Sequence, residues 1–214
     1  MDNQQGRLFS VDALGILHAE EGTYFPGDGG PAVYAKIFPT TGMAVDASGN
    51  LYLAAGAIRR IDALTGLIST PYGDGPVNRL PAVRLAVDKA GAIYFVGSDG
   101  AFSSSLYRLD PGVALPSAVL DTSGQPIPAS DVGIDRDGAL LVASQCTVLR
   151  MNPGEKSLQR IAGTGACGWT GLGDNATATS LGAILGNNLL AIPNCARLKK
   201  AKGRPEKPPL ELFC

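Results

Sequence analysis

Short apolar segments alternate with polar turns along most of this chain, and one such pattern occurs three times. In each copy an apolar segment ends in Asp, two residues and a Gly follow, and a second apolar segment begins. The copies cover residues 42–51, 84–93 and 131–140. Apolar segments bounded by Gly and Asp are typical of β-strands in hairpins. Each Asp is expected to accept hydrogen bonds from its own turn, because Asp-x-x-Gly is a turn signature.

The spacing of these copies indicates the architecture. Their aspartates, Asp46, Asp88 and Asp135, lie 42 and 47 residues apart. Each hairpin is followed by two further strand signals, so one repeat contains four short strands. A period in the forties built from four strands is typical of a β-propeller blade. The sequence therefore predicts an all-β repeat protein, a β-propeller made of four-stranded antiparallel blades.

Three complete blades are predicted, each with its strands in the same order. The abundance of Gly, at 28 residues, and of Pro, at 15, fits many short strands joined by tight turns. The predicted strands are 43–46, 51–55, 58–62 and 67–72 in the first blade, 85–88, 93–96, 106–110 and 118–121 in the second, and 132–135, 140–144, 148–152 and 157–162 in the third.

The two ends of the chain predict one further blade. Residues 8–21 have the pattern of third and fourth strands, and residues 183–192 that of first and second strands. Together they would form a composite blade and close a ring of about four blades, which removes exposed sheet edges. The alternative is an incomplete ring of five or six blades. The propeller is expected to occupy residues 1–195, and the basic, Pro-containing residues 196–214 to form a flexible tail.

Charge and hydropathy narrow the choice of partners. The formal net charge is −1 at pH 7, so no nucleic acid is expected as a partner. No apolar run approaches the roughly 20 residues of a membrane-spanning helix.

Residues 1–6 contain neither the basic nor the apolar stretch of a signal peptide. The protein is expected outside the cytoplasm, secreted or periplasmic, if a signal peptide is missing from this sequence, and otherwise in the cytoplasm.

The segments between the blades carry a second motif. Residues 27–32 read Gly-Asp-Gly-Gly-Pro-Ala, residues 163–165 read Gly-Thr-Gly, and residues 173–176 read Gly-Asp-Asn-Ala. These segments resemble the inter-blade links of bacterial, often secreted, NHL-repeat β-propellers, and the resemblance covers residues 7–192. It implies a propeller scaffold, and the members of this family have diverse roles. NHL propellers usually have five or six blades, which makes a truncated member of the family one of the alternatives.

The links and the second-to-third-strand loops of a propeller emerge on the same face, so residues 27–31 are expected beside Gly56. We call this end of the blades the loop face. Asp28 and Asp174 are expected to cap a tight connector rather than to contact a ligand. For Tyr24 and Trp169, packing over the end of a blade and contact with a ligand are equal alternatives. One Asp per loop supplies too few oxygen ligands for calcium, so no metal site is predicted. The candidate ligand-binding residues of the loop face are Tyr24, Asp28, Trp169 and Asp174.

Two of the four cysteines are also expected on the loop face. Cys146 lies in the second-to-third-strand loop of the third blade, and Cys167 lies in the link that leaves this blade. A disulfide between them is geometrically plausible, and two free thiols are the alternative, which spacing alone does not decide. If the bond exists, it favours an oxidising compartment.

The histidine content bears on catalysis. His18 is the only histidine and lies on a predicted outer strand, so the chain cannot assemble a His-based metal set or a Ser-His-Asp triad. No catalytic residue and no cofactor is assigned. The expected function is a non-catalytic scaffold that binds a protein or carbohydrate ligand through the loop face. The alternative is a propeller hydrolase or lyase, similar to lactonases, with a metal held by carboxylates in the central pore.

Overall fold

A computed structural model describes residues 27–73, 80–98, 104–155, 157–168 and 175–182, together with the backbone of two short strands at 9–11 and 17–19. Two 3-10 turns lie in the links, at Ala32–Tyr34 and Ala176–Ala178. Within these ranges no helix is long and apolar enough to cross a bilayer. The strands are β1 Phe9–Val11, β2 Leu17–Ala19, β3 Gly42–Val45, β4 Leu51–Ala55, β5 Ala57–Ile61, β6 Ile68–Tyr72, β7 Ala82–Val87, β8 Ile93–Ser98, β9 Ser104–Leu109, β10 Ser117–Ala118, β11 Asp131–Ile134, β12 Leu140–Ser144, β13 Thr147–Met151 and β14 Gln159–Ala162.

The strands from β3 onward form three four-stranded antiparallel sheets. β3–β6, β7–β10 and β11–β14 each pair in the order of the sequence, and we call them blades 1, 2 and 3. Sequential pairing of short strands in separate four-stranded sheets is the arrangement of propeller blades. The predicted all-β propeller fold is thereby confirmed.

A separate hairpin precedes blade 1. β1 and β2 pair so that Ser10 lies opposite His18, in the region where the third and fourth strands of the composite blade are predicted. The strands predicted at 183–192 lie outside the described residues. The composite blade and the closure of the ring therefore stay predictions.

The three recurrent aspartates each hold the first turn of their blade. In blade 1 the amides of Ser48 and Asn50 both donate to Oδ1 of Asp46, at 2.9 Å. Asp88 and Asp135 accept the same pair of bonds, again at 2.9 Å. The Gly of each turn has a φ of 84°, a conformation that favours a residue without Cβ. The turn-capping role that the sequence predicts for these aspartates is confirmed.

The blades stack in one direction, so each turns the same face towards the next. Tyr52 of blade 1 packs in one cluster with Leu85 and Val87 of β7, and a second cluster joins blades 2 and 3 in the same way. Leu85 and Val87 are 5% and 8% exposed, whereas Met43 and Val45, at the equivalent positions of β3, are 67% and 61% exposed. The bare face of β3 is where the preceding, composite blade is predicted.

The first link does not follow the predicted path. The amide of Gly29 donates to the carbonyl of Ile68 at 2.9 Å, and that of Ala32 donates to the carbonyl of Gly66 at 2.9 Å. The link therefore runs along the start of β6, at the opposite end of the blade from Gly56. The expectation that residues 27–31 lie beside Gly56 is wrong, because the link pairs its backbone with the otherwise open outer edge of blade 1.

Strand boundaries agree best where the apolar pattern is strongest. β4 and β12 have the predicted bounds. The fourth strand of blade 2 is predicted at 118–121 but comprises Ser117–Ala118. The strand is shorter because Asp121 caps a turn of its own, where its Oδ1 accepts from the amides of Ser123 at 2.8 Å and Gln125 at 2.9 Å.

Candidate functional site

Asp28 is bound to an arginine of blade 1. Its Oδ1 lies 2.6 Å from Nη2 of Arg59, and the two side chains are 10% and 1% exposed. Nη1 of Arg59 also donates to the carbonyl of Lys36 at 3.2 Å. Arg59 thus holds the link at two points, and the Asp28 carboxylate fixes the link to the blade. Sequence analysis missed Arg59, because no local motif relates it to a residue 31 positions earlier.

Apolar side chains are exposed at the outer end of blade 1. Val33 and Tyr34 are 84% and 86% exposed, in the 3-10 turn of the link. Leu64 and Leu67, in and after the third-to-fourth-strand turn, are 93% and 40% exposed. The hydrogen bonds between link and β6 bring these two segments together, and we call the four residues the apolar patch. Exposed apolar clusters of this kind mark protein-interaction sites.

A disulfide fixes the start of the second link to blade 3. Cys146 and Cys167 are joined, with their Cα atoms 5.2 Å apart, and Cys146 is fully buried. Gly163 approaches the same loop so closely that a Cβ there would lie 2.9 Å from the Cα of Thr147. The second-to-third-strand loop of blade 3 and the link beside it therefore form one constrained surface on the loop face.

Three candidate residues, Tyr24, Trp169 and Asp174, lie outside the described residues, and their ligand-binding role stays a prediction. The side chain of Asn175 caps the second 3-10 turn, accepting from the amide of Thr177 at 3.4 Å. Asp28 precedes its 3-10 turn by four residues, whereas Asp174 precedes its own by two. The two aspartates therefore do not hold equivalent positions in the two links.

One ion pair joins the inner strands of the blades. Nε of Arg84, on β7, lies 3.9 Å from Oδ1 of Asp131, on β11, and Nη1 of Arg84 donates to the carbonyl of Thr41, just before β3. Arg84 thereby connects all three blades.

Within the part of the chain that the structure describes, no group of three His, Cys, Asp or Glu side chains is placed to hold a metal ion.

A polar network repeats at the end of the blades opposite the loop face. This end carries the first-to-second and third-to-fourth turns, and we call it the turn face. In blade 1, Oδ2 of Asp46 accepts from Nδ2 of Asn50 at 2.7 Å and from the hydroxyl of Tyr52 at 3.2 Å. In blade 3, Oδ2 of Asp135 accepts from Nε and Nη2 of Arg150 at 3.1 and 2.9 Å. Both turn aspartates are therefore fully engaged.

Blade 2 departs from this pattern. Arg108 occupies the position of Arg150 but donates through Nε and Nη2 to Oδ1 of Asp110, at 2.9 and 2.6 Å. Its guanidinium carbon lies 5.6 Å from the centre of the Tyr94 ring. Within the described residues, Oδ2 of Asp88 and the hydroxyl of Tyr94 thus lack the side-chain hydrogen bonds that their counterparts make in blade 1.

These contacts shift the pKa values of the groups involved. Burial raises the pKa of Asp46, but hydrogen bonds from Asn50, Ser48 and Tyr52 outweigh this effect and leave that pKa below its ordinary value. Burial also raises the pKa of Asp135, but hydrogen bonds from Ala139 and Arg150 outweigh this effect, so that pKa too lies below its ordinary value. Both carboxylates are therefore held in their charged form.

The pKa of Tyr94 moves upward. Burial is the main cause, and the charge of Asp88 adds to it while that of Arg108 opposes it. The phenol is therefore neutral at physiological pH and able to donate a hydrogen bond.

A groove lies between adjacent blades on the turn face. Between blades 2 and 3 it encloses about 520 Å³, and between blades 1 and 2 about 390 Å³. In the larger groove Tyr94 and Arg108 face the turn at 152–154, and in the smaller one Tyr52 and Arg60 face the turn at 110–112. On the turn face, each of the two blade interfaces in the described residues thus carries a groove. Arginines recur at equivalent positions of the sequence, Arg60, Arg108 and Arg150, but the grooves depend on blade stacking, which no local pattern shows.

Comparison with known proteins assigns no activity. No protein-family model and no curated protein matches the chain. Among solved structures, the chain is similar to TolB from Acinetobacter baumannii, at 14% identity and a TM-score of 0.45 over 73% of this chain and 37% of that one. It is also similar to a streptogramin B lyase, at 13% identity and a TM-score of 0.44 over 75% and 49%. The chain spans less than half the length of both proteins.

Proposed function

We propose that this protein is a non-catalytic recognition scaffold, a propeller of the NHL type that engages a protein or glycan ligand. The observation that carries the proposal is the apolar patch at the outer end of blade 1, where Val33 and Tyr34 are more than four-fifths exposed. Large exposed apolar side chains on a constrained segment favour a protein as the ligand. The propeller supplies a rigid support, and the links supply the contact residues.

The Gly-Asp-Gly-Gly-Pro-Ala link supports the NHL assignment and has a physical role in it. Asp28 and the carbonyl of Lys36 bind the buried Arg59 on either side of the 3-10 turn. The turn that carries Tyr34 is therefore anchored before a ligand arrives, which lowers the entropic cost of binding. Asp28 serves binding in this proposal by positioning the link. Tyr24, Trp169 and Asp174 are proposed as further contacts from the links.

The disulfide supports a location outside the cytoplasm. Disulfides persist in oxidising compartments and are rare in the cytosol. We place the protein in the periplasm or outside the cell, in agreement with the bacterial, secreted members of the NHL family that the links resemble. Mass spectrometry of the alkylated protein from its native host tests this location: a protected Cys146–Cys167 pair supports it, and two alkylated thiols contradict it.

The binding role is tested by selection. A displayed library of random peptides is selected on the immobilised protein, with counter-selection on a Val33→Ser/Tyr34→Ser variant, and an array of glycans is probed in parallel. The matched control is Leu115→Ser, at a residue that is 79% exposed in blade 2. Peptides that bind the wild type and the control but not the patch variant support a protein ligand. Ligands that bind all three proteins equally, or none, overturn the proposal.

A further inference from the structure

The cavity between blades 2 and 3 contains two polar groups without a protein partner. Oδ1 of Asp88 is occupied by the amides of Ala90 and Ala92, but among the described residues no donor reaches Oδ2. The hydroxyl of Tyr94 has no hydrogen-bond partner in the same ranges, although this residue is only 5% exposed. Both residues line the cavity of about 520 Å³.

The propeller repeat shows which substitutions leave these groups open. In blade 1, Asn50 and Tyr52 fill the second oxygen of Asp46. Blade 2 has Ala92 at the position of Asn50, so one donor is absent. Arg108 turns to Asp110 and covers the Tyr94 ring, so it does not take the place that Arg150 takes in blade 3. The same fold thus closes this polar network in two blades and leaves it open in one, beside the larger of the two grooves.

A carboxylate oxygen and a phenol hydroxyl that line the same groove are together complementary to ligand hydroxyl groups. Ligand hydroxyls would donate to Oδ2 of Asp88 and accept from the hydroxyl of Tyr94, so both groups would gain a hydrogen-bond partner. A few such polar groups in an otherwise apolar groove fix the orientation of a bound small molecule. A ligand without hydroxyl or similar groups would leave both unsatisfied.

The remaining lining restricts the charge and shape of this ligand. Lys89 and Arg108 contribute positive charge, and Asp88, Asp137 and Glu155 contribute negative charge, so both signs are present and neither a polyanion nor a polycation is favoured. Apolar residues complete the lining, which suits the C–H face of a sugar ring. These residues are Ile134, Leu140 and Met151.

We propose that the cavity between blades 2 and 3 binds a neutral saccharide, with Asp88 and Tyr94 as its principal hydrogen-bonding residues. Its volume lies within the range of small-molecule sites. This site is separate from the apolar patch, so the proposal stands or falls independently of the protein-binding role.

The test uses saturation-transfer-difference NMR with the full chain. The probes are glucose, galactose, N-acetylglucosamine and their β-1,4-linked dimers, titrated to about 10 mM, where weak sites still saturate. Glycine and glutamate serve as small charged probes. The variants are Asp88→Asn and Tyr94→Phe, and the matched control is Tyr52→Phe, which removes the equivalent hydroxyl in blade 1.

The proposal predicts saturable binding of at least one saccharide, weakened about tenfold or more in either variant and unchanged in the control. The Asn side chain of the first variant still accepts the two turn bonds, and unchanged amide spectra will show that the fold is kept. Absence of saccharide binding overturns the proposal, as does binding that survives both variants. Binding of the charged probes alone would also overturn it and indicate a site for amino acids.

Discussion

The carboxylate of Asp28 lies 2.6 Å from Nη2 of Arg59, and this pair joins the first link to the interior of blade 1. Backbone hydrogen bonds to β6 and the bond from Arg59 to the carbonyl of Lys36 hold the link as well. Because the arginine side chain is 1% exposed, its charge has no access to water as a substitute partner. The pair therefore determines where the apolar patch is presented.

Removal of this carboxylate is expected to destabilise the protein. Asp28→Ala removes the carboxylate that the buried Arg59 guanidinium contacts at 2.6 Å, and loss of one partner of a buried ion pair costs about 3 kcal/mol of unfolding free energy. Asp137→Ala is the control, because Asp137 is 65% exposed and its ion pairs are 3.7 and 3.9 Å long; its expected cost is about 0.5 kcal/mol or less. Urea unfolding measures both. Equal midpoints for the two variants would contradict a structural role for the Asp28–Arg59 pair.

Two tyrosines at equivalent positions are expected to respond differently to loss of the hydroxyl. Tyr52→Phe removes a bond to Asp46 and should lower the unfolding free energy by about 1 kcal/mol. Tyr94→Phe removes a hydroxyl with no partner among the described residues, so its stability in the absence of ligand should be unchanged or slightly higher. Denaturant unfolding of the two variants side by side measures the difference. An equal loss in both would show that the networks of blades 1 and 2 are alike.

The glycine before the disulfide should tolerate no side chain. Gly163 has a φ of +83°, and a Cβ there would meet the backbone of Cys146 and Thr147. Gly154 has the same φ, but a Cβ would find nothing within 4 Å. Gly154→Ala should therefore cost about 1 kcal/mol from backbone strain alone, and Gly163→Ala clearly more. Thermal unfolding compares the pair, and equal melting temperatures would contradict the close packing of link and loop.

Removal of the disulfide should lower stability in proportion to the loop that it closes. The two cysteines are separated by 21 residues, for which chain entropy predicts a loss of about 3 kcal/mol. A Cys146→Ser/Cys167→Ser variant is compared with Cys195→Ser/Cys214→Ser, which keeps the bond. Urea unfolding under non-reducing conditions should separate the two variants. Indistinguishable curves would mean that the bond does not constrain the unfolded chain.

Acid should weaken the third-to-fourth turn of blade 1. Hydrogen bonds from the amide and hydroxyl of Thr65, and then from Arg60, lower the pKa of Asp62 to about 2 from the ordinary value of 3.8. A lowered folded-state pKa means that this stabilisation is complete above pH 3.8 and is lost as the pH falls towards 2. Carboxyl ¹³C titration of Asp62 measures the value directly. Thr65→Val should move the midpoint towards 3.8, and an unshifted midpoint in the wild type would contradict the assigned bonds.

The strands and first turns could be predicted because their signals are local. Continuous apolar segments define β4 and β12, and the Asp-x-x-Gly turns of Asp46, Asp88 and Asp135 use bonds within five residues. The path of the first link could not be predicted in this way. It depends on an open sheet edge and on Arg59, neither of which has a signature in the link itself.

The candidate site was predicted less well than the fold. The repeat places arginines at the same strand position in successive blades. Which polar groups of a groove stay open depends on the partner that each arginine binds. Arg108 and Arg150 occupy the same strand position, yet one pairs with Asp110 and the other with Asp135. Arg60 and Arg108 each pair with the Asp two residues later, whereas Arg150 has Asn152 at that position and turns Nε and Nη2 to Asp135.

We have proposed that the apolar patch recognises a protein ligand without chemical conversion. Isothermal titration calorimetry tests this role most directly. The strongest selected peptide is titrated into the wild type, Tyr34→Ser and Leu115→Ser, and the mass of the peptide is then measured by mass spectrometry. We expect affinity to fall about tenfold or more in Tyr34→Ser, to be kept in Leu115→Ser, and the peptide to be recovered intact. Equal affinity for all three proteins, or a cleaved or altered peptide, would contradict the claim.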